Sequence, residues 1–276
     1  MTTTTTVSTE LRDALKRLRL GQMLDTLAER ISLAERDDMP FQDLMLALLT
    51  DEIARRQNNS AAKRAQDAGI DPDMVFERWD KSAKITYDKR VLQELTSLRF
   101  IEAKRNAIVL GPVGVGKTFV ACALGQLACK AGFSVRFERS DGLLRRLKQS
   151  RMDNSRDAVM TELTTIDLLI IDDFALEPMT RDESRDVYQL FVERNARFPT
   201  IITSNRDTAE WLATFDDTML AQSAVDRFKN NAYDLVIDGE SYRARLKPKI
   251  EELPPPSAPV KKVPTIGRRR LTPRTR

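Results

Sequence analysis

Residues 106–118 read Asn106-Ala-Ile-Val-Leu-Gly-Pro-Val-Gly-Val-Gly-Lys-Thr118, and the rest of the fold can be worked out from this stretch. Ala107–Leu110 is an apolar run too short for a helix, while Thr118–Ala131 reads as a helix stopped by Gly132. Between them, Gly111 to Thr118 fits G-x-x-x-x-G-K-[ST]. A strand entering and a helix leaving is the context in which this pattern cradles phosphates. Glycines let successive backbone N–H groups turn inward, and the helix N-terminus adds a dipole that favours an anion. The spacing therefore assigns Gly111, Pro112, Val113, Gly114, Val115, Gly116, Lys117 and Thr118 to a triphosphate. Lys117 supplies a cation at the β/γ-phosphates and the Thr118 hydroxyl is a ligand for Mg2+, so ATP and Mg2+ are the expected cofactors. A glycine-rich turn that binds nothing is the alternative, and it leaves the flanking strand and helix unexplained.

Toward the C-terminus the pattern of short Val/Ile/Leu runs recurs at Ser134–Phe137, Leu168–Ile171, Thr200–Thr203 and Leu235–Ile237. Enough chain separates them for crossovers, which predicts an α/β domain with a five-stranded parallel sheet over residues 106–252. The third run, Ile166–Asp173, reads IDLLIIDD. An acid at the end of a buried strand holds Mg2+ through its water shell, a role for Asp172, and Asp173 would then polarise the attacking water. Both acids could instead cap the following turn. Asn205 ends the strand in TIITSNR, at the edge where α/β sheets bind ligands. There it would orient the water or contact the γ-phosphate; read locally, Ser-Asn is also a turn-forming pair.

Toward the N-terminus the periodicity is helical. Leu11, Leu15, Leu18, Leu24, Leu27 and Ile31 recur at mostly three- and four-residue spacing, and Pro40 opens a second helix with Phe41, Leu44, Leu48 and Leu49. Residues 1–67 read as a small all-α domain, and 68–105 as a connector with one helix over Lys89–Ala103. The last segment, 253–276, holds six of the twelve prolines and is expected to be disordered.

Composition removes whole classes of chemistry. The 276 residues include no histidine, which excludes Ser-His-Asp and Cys-His nucleophilic sites and the usual catalytic zinc centres. Cys122 and Cys129 lie two helical turns apart, too far for a disulfide, and read as buried packing residues of a reducing, cytoplasmic compartment. No signal peptide or membrane-spanning run is expected. The net charge of +4 is uneven: residues 253–276 carry seven Lys and Arg and no acid, which leaves residues 1–252 at −3. Within that body, Gly142–Arg156 reads as a basic helix with Arg145, Arg146, Lys148, Arg151 and Arg156. Such a face suits phosphate contacts with DNA that are salt-dependent and nearly indifferent to sequence, or is a solvated surface.

The motif order resembles the AAA+ ATPases, and specifically the IstB-like transposition helper ATPases, relatives of DnaC-type helicase loaders. The resemblance rests on GPVGVGKT, LLIIDDF followed by ALEPMT, TIITSNRDTAEW and AVDRFKNNAYDLVIDGESYR, and covers most of residues 70–250. It implies an ATP-hydrolysing protein that forms a homo-oligomer on DNA and recruits or activates a partner transposase. It also implies that Asn205 is sensor 1, that Arg227 is a finger reaching a neighbouring subunit's nucleotide, and that Arg243 is a sensor 2 candidate. On spacing alone Arg227 and Arg243 are ordinary surface arginines. Asp173 stands where many AAA+ enzymes carry Glu, and its shorter side chain implies slow or assembly-triggered hydrolysis. A helicase loader sharing this core, and a nucleotide-gated DNA scaffold with incidental turnover, are the rival readings.

Overall fold

Six runs of chain pair into one sheet in the computed structural model, which describes residues 7–80 and 82–246. They are β1 (Ile85–Tyr87), β2 (Asn106–Leu110), β3 (Val135–Arg139), β4 (Leu168–Asp172), β5 (Thr200–Ser204) and β6 (Ala232–Gly239). Their spatial order is β1-β6-β2-β5-β4-β3. β2 to β6 are parallel, the five strands the sequence predicts, and β1 adds a sixth, antiparallel to β6. Three residues show no periodicity, which is why β1 reads as connector in the sequence. β6 is longer than its apolar run: only Leu235 and Ile237 are buried in it, Ala232 and Tyr233 are partly buried, and Asp234, Val236, Asp238 and Gly239 are exposed.

Both faces of the sheet are covered. Ala107, Val109, Leu168, Ile170, Ile201, Leu235 and Ile237 pack into one core, and Ile108, Leu169, Ile171 and Ile202 into the other. Strand side chains alternate faces, so a run that is apolar at every position must be buried on both.

Helices α1 (Thr9–Arg17), α2 (Leu24–Arg36) and α3 (Phe41–Asp67) precede the sheet, and α4 (Lys89–Thr96) and α5 (Arg99–Glu102) lead into β2. The crossovers and connections use α6 (Lys117–Ala131), α7 (Ser140–Met152), α8 (Arg156–Thr165), α9 (Arg181–Arg194), α10 (Thr208–Trp211) and α11 (Thr218–Lys229). α3 is 27 residues long, about 40 Å, and serves two neighbours. Its first half sets Leu44 and Leu48 against Met23 and Leu27. Its second half buries Ala61 and Ala65, and the Arg64 Nε donates to the Cys129 carbonyl of α6 at 2.9 Å.

Two helices differ from their expected spans. The run 89–103 breaks at Leu98, whose φ of +61° turns Phe100 and Ile101 into the core as α5. The basic run 142–156 ends early: Asn154 has φ +60°, the Ser155 N–H donates to Asp153 Oδ1 at 3.0 Å, and Arg156 opens α8.

The chain divides into a unit Met1–Tyr242 and a second, Arg243–Arg276. The second is described as far as residue 246, within a 3-10 turn over Tyr242–Leu246. The Pro-rich segment 253–276 and the Thr2–Thr6 run lie outside the described residues.

Candidate functional site: a phosphate loop beside a buried carboxylate

β2 delivers the loop 111–116 to the C-terminal edge of the sheet, and α6 carries Lys117 and Thr118 away from it. The turn into the helix needs a left-handed residue at its cap, and Gly116 supplies it with φ +99°. The Lys117 ammonium is buried and donates to the carbonyls of Gly111 at 2.8 Å and Pro112 at 2.9 Å. It therefore sits across the mouth of the loop on acceptors that an anionic phosphate can outcompete.

Because β5 lies between β2 and β4, the loop, Asn205 and Asp172 emerge side by side. Asp172 is 3% exposed and accepts from Thr118 Oγ1 at 2.9 and 3.0 Å and from Thr203 Oγ1 at 2.5 Å. Burial pushes its carboxyl pKa up, opposed by the Thr203 hydroxyl bond and reinforced by the neighbouring Asp173. A buried carboxylate and a threonine hydroxyl in contact form an all-oxygen set, the chemistry a hard divalent cation prefers, so Mg2+ fits Thr118 and Asp172.

Asp173 takes φ +55°, a left-handed conformation that Asp tolerates. Its N–H donates to Thr203 Oγ1 at 2.9 Å, and its carboxylate accepts from Arg139 at 3.3 Å. A cavity of about 430 Å3 opens beside it, lined among others by Arg139, Leu144, Arg145, Lys148 and Leu176. Asn205 is exposed just past β5. The adjoining Trp211 is buried and donates its indole N–H to Ser204 Oγ and the Arg206 carbonyl, both at 3.2 Å.

Arg227 is exposed in the last turn of α11, while Ala224 and Phe228 of the same helix are buried. Arg243 is exposed at the start of the second unit. The basic set divides. Arg151 and Arg156 converge on Asp186, which is 2% exposed, with contacts of 2.6 and 2.7 Å. Arg146 pairs with Glu138 at 3.0 Å and Glu162 at 2.5 Å. Arg145, which pairs with Asp141 at 3.2 Å, and Lys148 are exposed on α7. The run reads as basic in sequence because the acids that engage Arg146, Arg151 and Arg156, namely Glu138, Glu162 and Asp186, lie outside it.

Two contacts escaped the sequence reading. Thr203 is fully buried in a strand, and its only signal is a hydroxyl inside an apolar run. Ser241 and Tyr242 close on Gly114, the Tyr242 N–H donating to the Gly114 carbonyl at 2.8 Å, with no local signal at all.

No helix among the described residues is long and apolar enough to cross a membrane. The thiols of Cys122 and Cys129 are buried in α6 and pushed up by burial to about 12 and about 11.

The chain is similar to several known proteins. The chain is 36% identical over 239 residues to an insertion-sequence ATP-binding protein of Mycobacterium tuberculosis, covering 86% of this chain and 95% of that one. It is 30% identical over 251 residues to the IS21 ATP-binding protein of Pseudomonas aeruginosa, covering 91% and 95%. Among solved AAA+ structures, DnaI superposes with a TM-score of 0.51 at 21% identity, over 59% of this chain and 90% of that one. A replication initiator DnaA bound to AMPPCP and single-stranded DNA gives 0.50 at 18%, over 60% of this chain and half of that one. These likenesses show that the chain shares the fold of those proteins. Residues 13–250 match the sequence model of the IstB-like ATP binding proteins, and the chain belongs to that family.

Proposed function

We propose that this chain is an ATP-hydrolysing, DNA-binding AAA+ protein of the cytoplasm that assembles on DNA and recruits or activates a transposase. The observation that carries the reading is the Thr118–Asp172 pair beneath a glycine loop, bonded at 2.9 Å. In this reading Gly111 to Gly116 wrap the phosphates with backbone N–H groups, and Lys117 leaves the loop carbonyls for the β/γ-phosphates. Thr118 and Asp172 hold Mg2+, which when bound supplies positive charge to the phosphate oxygens. Asp173 orients and polarises water, Asn205 holds the water or the γ-phosphate, Arg227 serves the nucleotide of a neighbouring subunit, and Arg243 serves its own. DNA phosphates meet α7 through Arg145 and Lys148, with Arg139 beside them. Arg146, Arg151 and Arg156 shape that surface through their intrachain pairs.

The partner reading draws on two observations. The relatives named above are ATP-binding proteins of insertion sequences. Phe41, 75% exposed, lies with Met45, Leu46, Leu49 and Ile53 on α3 as an exposed apolar group, the kind of surface that a protein partner covers.

ATPase rate and sedimentation, with and without DNA under ATP and ADP, test the reading together. ATP with DNA is expected to drive assembly and stimulate turnover. Lys117→Ala is expected to lose nucleotide binding and assembly together, and Arg227→Ala to keep binding while losing stimulated hydrolysis. Turnover indifferent to DNA, with no change in sedimentation, would sink the proposal.

A further inference from the structure

We propose that Thr203 is a positioning residue for both acids of the site, and that its hydroxyl sets the affinity for the divalent cation that accompanies the nucleotide. The inference rests on the reading of the loop as a Mg-nucleotide site. Thr203 is completely buried in β5, between the loop strand and the acid strand. Its hydroxyl has one proton, and the bonding around it leaves no choice of direction. The Asp173 backbone nitrogen, 2.9 Å away, can only donate, so the threonine oxygen accepts there. The hydroxyl proton then goes to Asp172 Oδ1 at 2.5 Å. Thr118 spends its own proton on the same carboxylate at 2.9 and 3.0 Å, which leaves the Thr118 lone pairs for a cation.

Asp172 is thus gripped from two elements, α6 on one side and β5 on the other, and the rotation of its carboxylate is fixed before any cation arrives. The same threonine oxygen holds the peptide of Asp173 in its left-handed turn, with φ +55°. Strand pairing between β4 and β5 continues beyond this point: the Phe174 N–H donates to the Thr203 carbonyl at 2.9 Å, and Ser204 Oγ donates to the Phe174 carbonyl at 2.8 Å. A single hydroxyl therefore links the carboxylate beside Thr118, the peptide of the acid that follows, and the strand that precedes Asn205.

Removing an outer partner of a metal ligand typically weakens metal binding by roughly 10–100-fold. Full-length protein with a non-hydrolysable ATP analogue is titrated with Mn2+ and followed by electron paramagnetic resonance. Thr203→Val is expected to weaken Mn2+ binding by about tenfold or more, and Thr203→Ser to restore it to within about twofold of wild type. Affinity for the analogue in EDTA is expected to be the same in all three proteins. Wild-type Mn2+ affinity in the Val variant overturns the inference, as does a Ser variant that falls as far as Val. So does a loss of EDTA affinity that matches the metal loss, because a merely structural role predicts that pattern. If the Val variant does not fold, Thr203→Cys replaces it, since a thiol is a weak donor of similar size, with the same expected and overturning results. A wild-type protein that binds no Mn2+ with the analogue brings down the underlying site reading, and the inference with it.

Discussion

Gly114 leaves no room for a side chain, and the reason lies 127 residues away in sequence. A Cβ built on it would stand 2.1 Å from Ser241 Oγ, and its φ of +88° is one that L-residues rarely adopt. Its carbonyl accepts the Tyr242 N–H at 2.8 Å. Within one trans peptide plane the C=O and the following N–H point in opposite directions. The bond to Tyr242 therefore turns the Val115 N–H away from the 241–242 segment, and so helps set which donors face a phosphate. Strain of this kind costs about 1–3 kcal/mol, before any displacement of Ser241. Gly114→Ala is accordingly expected to weaken binding of a fluorescent ATP analogue by at least roughly tenfold, while the apo protein still melts cooperatively. Unchanged affinity would mean that the 241–242 segment does not shape the loop. The contrast with Lys117 and Thr118 is instructive. Their places in the loop are legible because the loop spacing encodes a local backbone path, whereas the contacts of Thr203 and Ser241 come from residues distant in sequence.

Elements fail to match their sequence readings where a tertiary contact sets the boundary. The run Gly142–Arg156 reads as one basic helix, yet the chain breaks at 153–155, and Arg151 and Arg156 reach Asp186 from the two sides of that break. β1 exists because Tyr87 and Ile85 pair with Ile237 and Gly239, a partner 150 residues downstream that no local pattern announces. By contrast, β2, β4 and β5 are buried on both faces, and continuous apolar runs mark them plainly. The junction of α8, α9 and β5 illustrates how such ends are held. Arg194, 2% exposed, donates to the carbonyls of Leu163 at 2.6 Å, Ile166 at 3.0 Å and Pro199 at 2.5 Å, and to Thr200 Oγ1 at 2.8 Å. It satisfies acceptors at the end of α8 and fixes the start of β5. Burial pulls its pKa down to about 9, which leaves it charged at neutral pH. Arg194→Met keeps the bulk but orphans several acceptors, each worth about 1–3 kcal/mol when left unsatisfied. The expected result is a loss of about 3 kcal/mol in urea unfolding, seen as a lower midpoint with unchanged slope. A midpoint shift of only a few tenths of a kcal/mol would show that water replaces the guanidinium.

Over the whole molecule, the charge on which the proposed DNA binding depends is not the net +4 but the small set of exposed cations. Residues 1–252 are net −3, so attraction to a polyanion has to come from a local surface or from the segment 253–276. Arg151 on α7 and Arg156 at the start of α8 are held by Asp186 and Arg146 by Glu138 and Glu162, while Arg145, paired among the described residues only with exposed Asp141, and Lys148 stand exposed near Arg139. Each phosphate contact contributes roughly 0.9 to the slope of log affinity against log salt for duplex DNA. Arg145→Ala with Lys148→Ala is therefore expected to reduce that slope by about 2, uniformly across DNA sequences. Arg151→Ala and Arg156→Ala are expected to behave differently. Each removes one of two guanidiniums from a buried carboxylate, which costs stability on the order of 1–3 kcal/mol and leaves the salt slope of the folded protein near its wild-type value. Fluorescence anisotropy over a range of salt concentrations, paired with thermal melts, separates the two outcomes. If the slope falls in the Asp186 variants and holds in the Arg145/Lys148 double variant, DNA lies across a different face of the molecule. If no variant on α7 moves the slope, the seven cations of 253–276 become the site to truncate next.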